Sequence, residues 1–183
     1  MSRLGPREGP LGPTLDLREP EREVAVARVF DEFHPRLVRL AVLLGAGADA
    51  EDVVAEAFCQ LYRRWSRLRS PDAAHAYVRG SVVNLVRMRL RHQQVVRRHA
   101  ERSLRPSDTV SAESVALGRE DQRAVVEALE QLAPRQREAI VLRYWMDLKE
   151  AEIAATMGIS CGAVKTHTSR AMAALSQAVG VRQ

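Results

Sequence analysis

Apolar residues recur at every third or fourth position along two stretches of this chain, roughly residues 21–100 and 121–179, and the recurrence stops between them. That spacing lines one face of an α-helix, whereas a half-buried strand needs strict alternation. Phe30, Phe33, Leu37, Leu40 and Leu44 trace the first stripe, which Pro35 is expected to kink or split and Gly45-Ala46-Gly47 to end. Val53, Val54, Ala57, Phe58, Leu61, Tyr62, Trp65 and Leu68 trace a second, from Asp49 to about Arg69. Asp49 is its expected N-cap, with Glu51 and Asp52 in the first turn, where the helix dipole favours acids. Ser70-Pro71-Asp72 breaks the pattern, and Tyr77, Val78, Val82, Leu85, Val86 and Leu90 predict a third helix from about Ala73 to Arg98. Four further helices are expected over Asp121–Leu132, Pro134–Trp145, Lys149–Met157 and Ser160–Val179. Aromatic residues are only 4% of the chain, so the core must come from Leu, Val, Ile and Ala, which suits helix packed on helix. The expected fold is all-α: two small helical domains joined by a flexible linker.

Residues 1–20 include seven Gly or Pro, too many backbone breakers to bury a core, so residues 1–22 are expected to form a disordered tail. The first domain is then 23–100, the linker 101–120 and the second domain 121–183. Charge separates along the same boundaries. Between Arg63 and Arg105, twelve arginines stand against only Asp72 and Glu101. From Ser107 to Gln131, six acids stand against two arginines. The basic stretch points to a polyanionic partner, and the acidic linker to a different one.

Other classes find no support. The longest apolar run, Leu40 to Leu44, is far short of a membrane span, and the N-terminal stretch has no apolar h-region, so no membrane insertion is expected. Two cysteines without a CxxC partner give no disulfide framework, and a reducing cytoplasm is the expected location. The five histidines show no metal spacing with Cys59 or Cys161, and no phosphate loop, catalytic carboxylate pair or Ser/His/Asp set is visible. Neither a cofactor nor an enzymatic activity is expected.

The sharpest local motif is EIAATMGISCGAVKTHTSRA, residues 152–171. As a helix-turn-helix it places Ile153 and Met157 inward, small Ala154 at the helix crossing and Gly158 at a left-handed turn. Ser160 would cap the second helix, and Ile159 and Val164 would anchor it. Lys165, Thr166, His167, Ser169 and Arg170 would then form a donor-rich outer face sized for the major groove of DNA.

Three segments, in order, resemble the extracytoplasmic-function branch of the bacterial sigma-70 family. DAEDVVAEAFCQLYRRW (49–65) resembles the part of region two that grips the polymerase clamp. AYVRGSVVNLVRMRLRHQQ (76–94) resembles the part that opens and reads the proximal promoter element. LAPRQREAIVLRYWMDLKEAEIAATMGISCGAVKTHTSRA (132–171) resembles region four, which reads the distal element. Together they span roughly residues 23–180, and THTSRA (166–171) is similar to the actinobacterial sigma-E-like subfamily.

The resemblance implies a non-enzymatic subunit that binds core RNA polymerase, directs it to promoters and promotes melting. Asp52 and Glu56 would contact the β′ clamp helices, and region four the β flap. Asn84 would hold a base flipped from the non-template strand, with Arg79, Arg87, Arg89 and Arg91 on phosphates and Ser70–His75 as a pocket wall. Lys165, Thr166, His167, Ser169 and Arg170 would read the distal element, with Arg135 and Arg137 clamping phosphates. An anti-sigma factor is a further expected partner. The competing reading is a helix-turn-helix regulator of response-regulator type. It needs a βα-alternating receiver, which residues 21–100 lack. A nucleic-acid enzyme would need a metal or general-base cluster.

Overall fold

The computed structural model describes residues 19–68, 70–102 and 120–180. Seven helices follow in order: α1 Glu19–Leu44, α2 Ala50–Arg64, α3 Pro71–Arg102, α4 Glu120–Glu130, α5 Pro134–Tyr144, α6 Glu150–Met157 and α7 Cys161–Gly180. Single 3-10 turns at Gly47–Asp49 and Trp65–Arg67 bracket α2. No strand occurs among the described residues, as the helical spacing predicts. The expected linker lies almost wholly outside them.

α2 ends earlier than expected and α3 runs later, and two prolines behave differently from expectation. Pro35 does not split α1, which runs through it unbroken. It sits on the exposed face, where water can satisfy the Asp31 carbonyl that loses its helical donor. Pro71 begins α3 rather than breaking the chain ahead of it. Proline suits the first helical position because its missing N–H has no partner there anyway. Ser70 caps the helix, its hydroxyl accepting the Ala73 N–H at 3.1 Å and its carbonyl the Ala74 N–H at 3.2 Å. Residues 71–75 are therefore helical, not loop. Asp49 precedes α2, but its side chain makes no cap hydrogen bond.

Helix ends that the glycines predict are closed as expected. Gly45 takes φ +101°, with its N–H on Val42 carbonyl oxygen and the Ala46 N–H on that of Ala41, a Schellman ending to α1. Gly158 takes φ 66° and turns α6 into α7, the Ile159 N–H reaching back to Ala154.

α1, α2 and α3 pack as one layer around Leu37, Leu40, Val53, Val54, Leu61, Val78 and Val82, all fully buried. α5, α6 and α7 pack around Leu142, Ile153, Met157 and Val164. The two groups do not stand apart. α5 lies against α1, α6 against α3, and the buried residues of both halves form one continuous cluster.

Candidate nucleic-acid interface

On α2, burial of Val53, Val54, Ala57, Phe58 and Leu61 turns Asp52 and Glu56 outward, and both are exposed. They lie one turn apart on the same face. Glu56 has Arg89 Nη2 at 3.9 Å and Gln60 Nε2 at 3.4 Å, leaving half of its side chain in solvent. The two other acids of this end have local partners: Glu51 pairs with His34 Nε2 at 3.0 Å, and Arg89 Nη1 lies 4.0 Å from the Asp49 carboxylate while donating to the Asp49 backbone carbonyl at 3.1 Å.

α3 carries the second set. At about 100° per residue, Asn84, Arg87 and Arg91 fall within roughly 60° of arc, with Arg79 and Arg89 outside it. Asn84 and Arg91 are exposed. Arg87 is not free: its Nε and Nη2 donate to the two carboxylate oxygens of Glu138 on α5 at 3.1 and 2.8 Å, and its Nη1 to Asn84 Oδ1 at 3.1 Å. Arg79 is only 8% exposed, and its Nε is buried without a hydrogen-bond partner. Burial lowers its pKa, the Glu152 carboxylate acting in the opposite sense. A cavity of about 430 Å³ lies here, lined by Tyr77, Arg79, Ser81 and Asn84 on one side and by Glu152 and Thr156 on the other. Of the predicted proximal-element residues, Arg79 and Arg87 thus lie against α6 and α5, Arg89 lies against α2, and Asn84 and Arg91 remain exposed.

On α7, Ser160 caps as expected, its hydroxyl accepting the Ala163 N–H at 3.2 Å. With Val164 and Ala171 buried, Lys165, Thr166, Ser169 and Arg170 are exposed and His167 is half-buried. Lys165 Nζ lies 3.6 Å from Glu150, and the Thr166 hydroxyl donates to the Gly162 carbonyl at 3.1 Å. Glu152 accepts the Lys149 N–H at 3.0 Å and closes the start of α6.

Arg135 and Arg137, expected on phosphates, make hydrogen bonds within the chain. Arg135 donates to Glu138 at 3.0 Å and to the Met157 carbonyl at the end of α6 at 3.2 Å. Arg137 donates to Leu129 carbonyl at 2.7 Å and to Leu44 carbonyl at 3.4 Å, capping α4 and α1 together. Burial lowers its pKa, with Glu130 opposing. Glu138 itself was not predicted as a site residue. Its signal was present: it shares a helix face with Val141, Leu142 and Trp145, a lone charge in phase with an apolar stripe. Among the described residues there is no metal-ligating cluster, and no helix is long and apolar enough to cross a membrane.

Comparison with known proteins covers both halves. The family model for sigma-70 region 2 matches residues 29–96, and that for sigma-70, region 4 matches 122–175. The RNA polymerase sigma-E factor of Streptomyces antibioticus is 30% identical over 136 residues, 73% of this chain and 72% of that protein. The RNA polymerase sigma factor CarQ of Myxococcus xanthus is 32% identical over 144 residues, 77% and 80% of the two chains. In fold, the chain is similar to the sigma factor RpoE of Bartonella quintana, solved in complex with the anti-sigma factor NepR. That match has a TM-score of 0.71 at 21% identity, over 86% of this chain and 98% of that one. The chain belongs to the sigma-70 family of RNA polymerase sigma factors, in its extracytoplasmic-function branch.

Proposed function

We propose that this sigma factor binds core RNA polymerase and reads promoter DNA through three separate faces. Asp52 and Glu56 dock on the β′ clamp helices, both side chains being exposed to basic groups of the partner. Asn84 offers both donors and acceptors to a flipped base, while Arg79, Arg87 and Arg91 hold the strand around it. Lys165, Thr166, His167, Ser169 and Arg170 read the distal element in the major groove, with region four seated on the β flap. The working divisions are 23–100 for region two and 121–183 for region four, with 101–120 as an acidic tether; residues 19–22, expected in a tail, belong to α1. The protein acts in the cytoplasm, catalyses no reaction of its own and is held in check by an anti-sigma factor.

The observation that carries this reading is the pairing, in one chain, of an exposed acidic face on α2 with an exposed donor face on α7. A groove-reading regulator needs the second and has no use for the first. The response-regulator alternative also requires a receiver sheet, and the described residues contain no strand. Run-off transcription with core polymerase tests the proposal. Promoter-dependent transcripts are expected only when this protein is added. Distal-element binding without any gain in initiation would favour the regulator instead.

A further inference from the structure

Arg79 is buried on α3, yet it makes no hydrogen bond or ion pair among the described residues. A desolvated guanidinium without an acceptor is costly, and its side chain lines the cavity of about 430 Å³ between α3 and α6. Helical spacing puts Tyr77, Gly80, Ser81 and Asn84 on one wall, at i, i+3, i+4 and i+7, and Glu152 and Thr156 on the other. Arg79 and Ser81 are the buried members of the lining, Asn84 and Glu152 the exposed ones, so the cavity has a floor and an open mouth. The two walls differ in sign. On α3, Arg79 keeps its donors, and Asn84, whose Oδ1 accepts from Arg87, keeps its amide N–H groups. On α6, Glu152 accepts the Lys149 N–H through one carboxylate oxygen, and its charge acts on Arg79 across the gap without pairing with it.

We propose that this cavity is a binding site for a small zwitterion, a free α-amino acid, whose carboxylate meets Arg79 and the Asn84 amide and whose ammonium meets Glu152. An arginine is the side chain best shaped to hold a carboxylate, and this one has already lost its water in folding. Arg79 and Glu152 are the only charged residues of the lining, so it carries no surplus charge and gives a polyphosphate nothing to neutralise it. Tyr77, Ala76 and Ala155 leave an apolar margin for the side chain of the ligand. Gly80 supplies room: a Cβ there would meet nothing within 4 Å. Because the walls come from different halves of the chain, an occupant bridges them, and binding should raise the melting temperature. The proposal does not rest on the assignment of these residues to promoter DNA.

The test is isothermal titration calorimetry of the full chain against the proteinogenic L-α-amino acids, taken singly, with thermal melts in parallel. Saturable heat and a raised melting temperature are expected for at least one of them. Its amide, which lacks the carboxylate, and its N-acetyl form, which lacks the ammonium, should each bind about tenfold more weakly or worse, the worth of a charge-assisted hydrogen bond. Glu152→Gln removes the charge but keeps an acceptor for the Lys149 N–H, and should weaken binding by a similar factor. Gly80→Leu leaves both charges in place, favours the helix over glycine and fills the cavity, so it should abolish binding with helical circular dichroism unchanged. Arg79→Gln should abolish it as well, and the other two variants decide the matter if that chain does not fold. Absence of saturable heat for every amino acid overturns the proposal. Equal affinity for the amide or for inorganic phosphate overturns the zwitterion, and undiminished binding by Gly80→Leu overturns the location. No DNA or polymerase enters these measurements, so a failure of the promoter reading would appear only in run-off transcription.

Discussion

Asp52 and Glu56 owe their positions to what lies behind them: Val53, Ala57 and Leu61 are completely buried, and the phase of α2 leaves the carboxylates no inward option. Substitution there leaves the core intact. Asp52→Arg should sharply reduce pull-down of core polymerase while the helical circular dichroism stays the same, and undiminished pull-down would remove the clamp assignment. In the proposed reading, Asn84 and Arg170 divide the DNA work differently. The partner of Asn84 exists only after a base leaves the stack, so Asn84→Ala should impair strand opening more than closed-complex binding. Arg170→Ala should act earlier, weakening duplex recognition by about 1–3 kcal/mol if it makes a base contact. A pre-melted template should rescue the first in part and the second less, read as permanganate reactivity of exposed thymines. Equal defects on both templates would sink this division.

At the scale of helices, the ends matter more than the middles. Gly45 combines φ +101° with the guanidinium of Arg137 where a side chain would begin: a Cβ would lie 2.5 Å from Arg137 Nη1. Gly45→Ala therefore strains the backbone and displaces the group that caps α1 and α4. The expected cost is about 1–3 kcal/mol, or roughly 2–4 °C of melting temperature per kcal/mol. Gly158 has φ 66° and open space around it, so Gly158→Asn, which tolerates that conformation, should change the melting temperature little. Thermal melts of the two variants check the contrast. Most of this layer could be read from the sequence: the stripes, both glycine turns and the Ser160 cap follow from local rules. The prolines misled because their effect depends on which face they occupy and on where the first turn starts. Pro35 lands on water, and Pro71 lands where no N–H is required. The arrangement of Arg87, Glu138 and Arg135 was not legible, because it joins residues up to 51 positions apart and periodicity carries no information about such contacts.

For the molecule as a whole, the sequence divides the chain by charge and pattern, yet folding brings the divisions together. The basic stretch of α3 finds its first polyanion substitute in the acids of its own second half. Had the two halves behaved as independent beads, each would own a separate core; instead their buried residues form one continuous cluster. That continuity bears on how the protein melts. A chain whose halves share an interior should lose structure in a single cooperative event, with calorimetric and van't Hoff enthalpies equal. Differential scanning calorimetry should therefore resolve one endotherm. Two endotherms already present in the wild-type chain would mean that the shared interior does not couple them. Sharing an interior, each half should resist local opening better within the chain than it would alone.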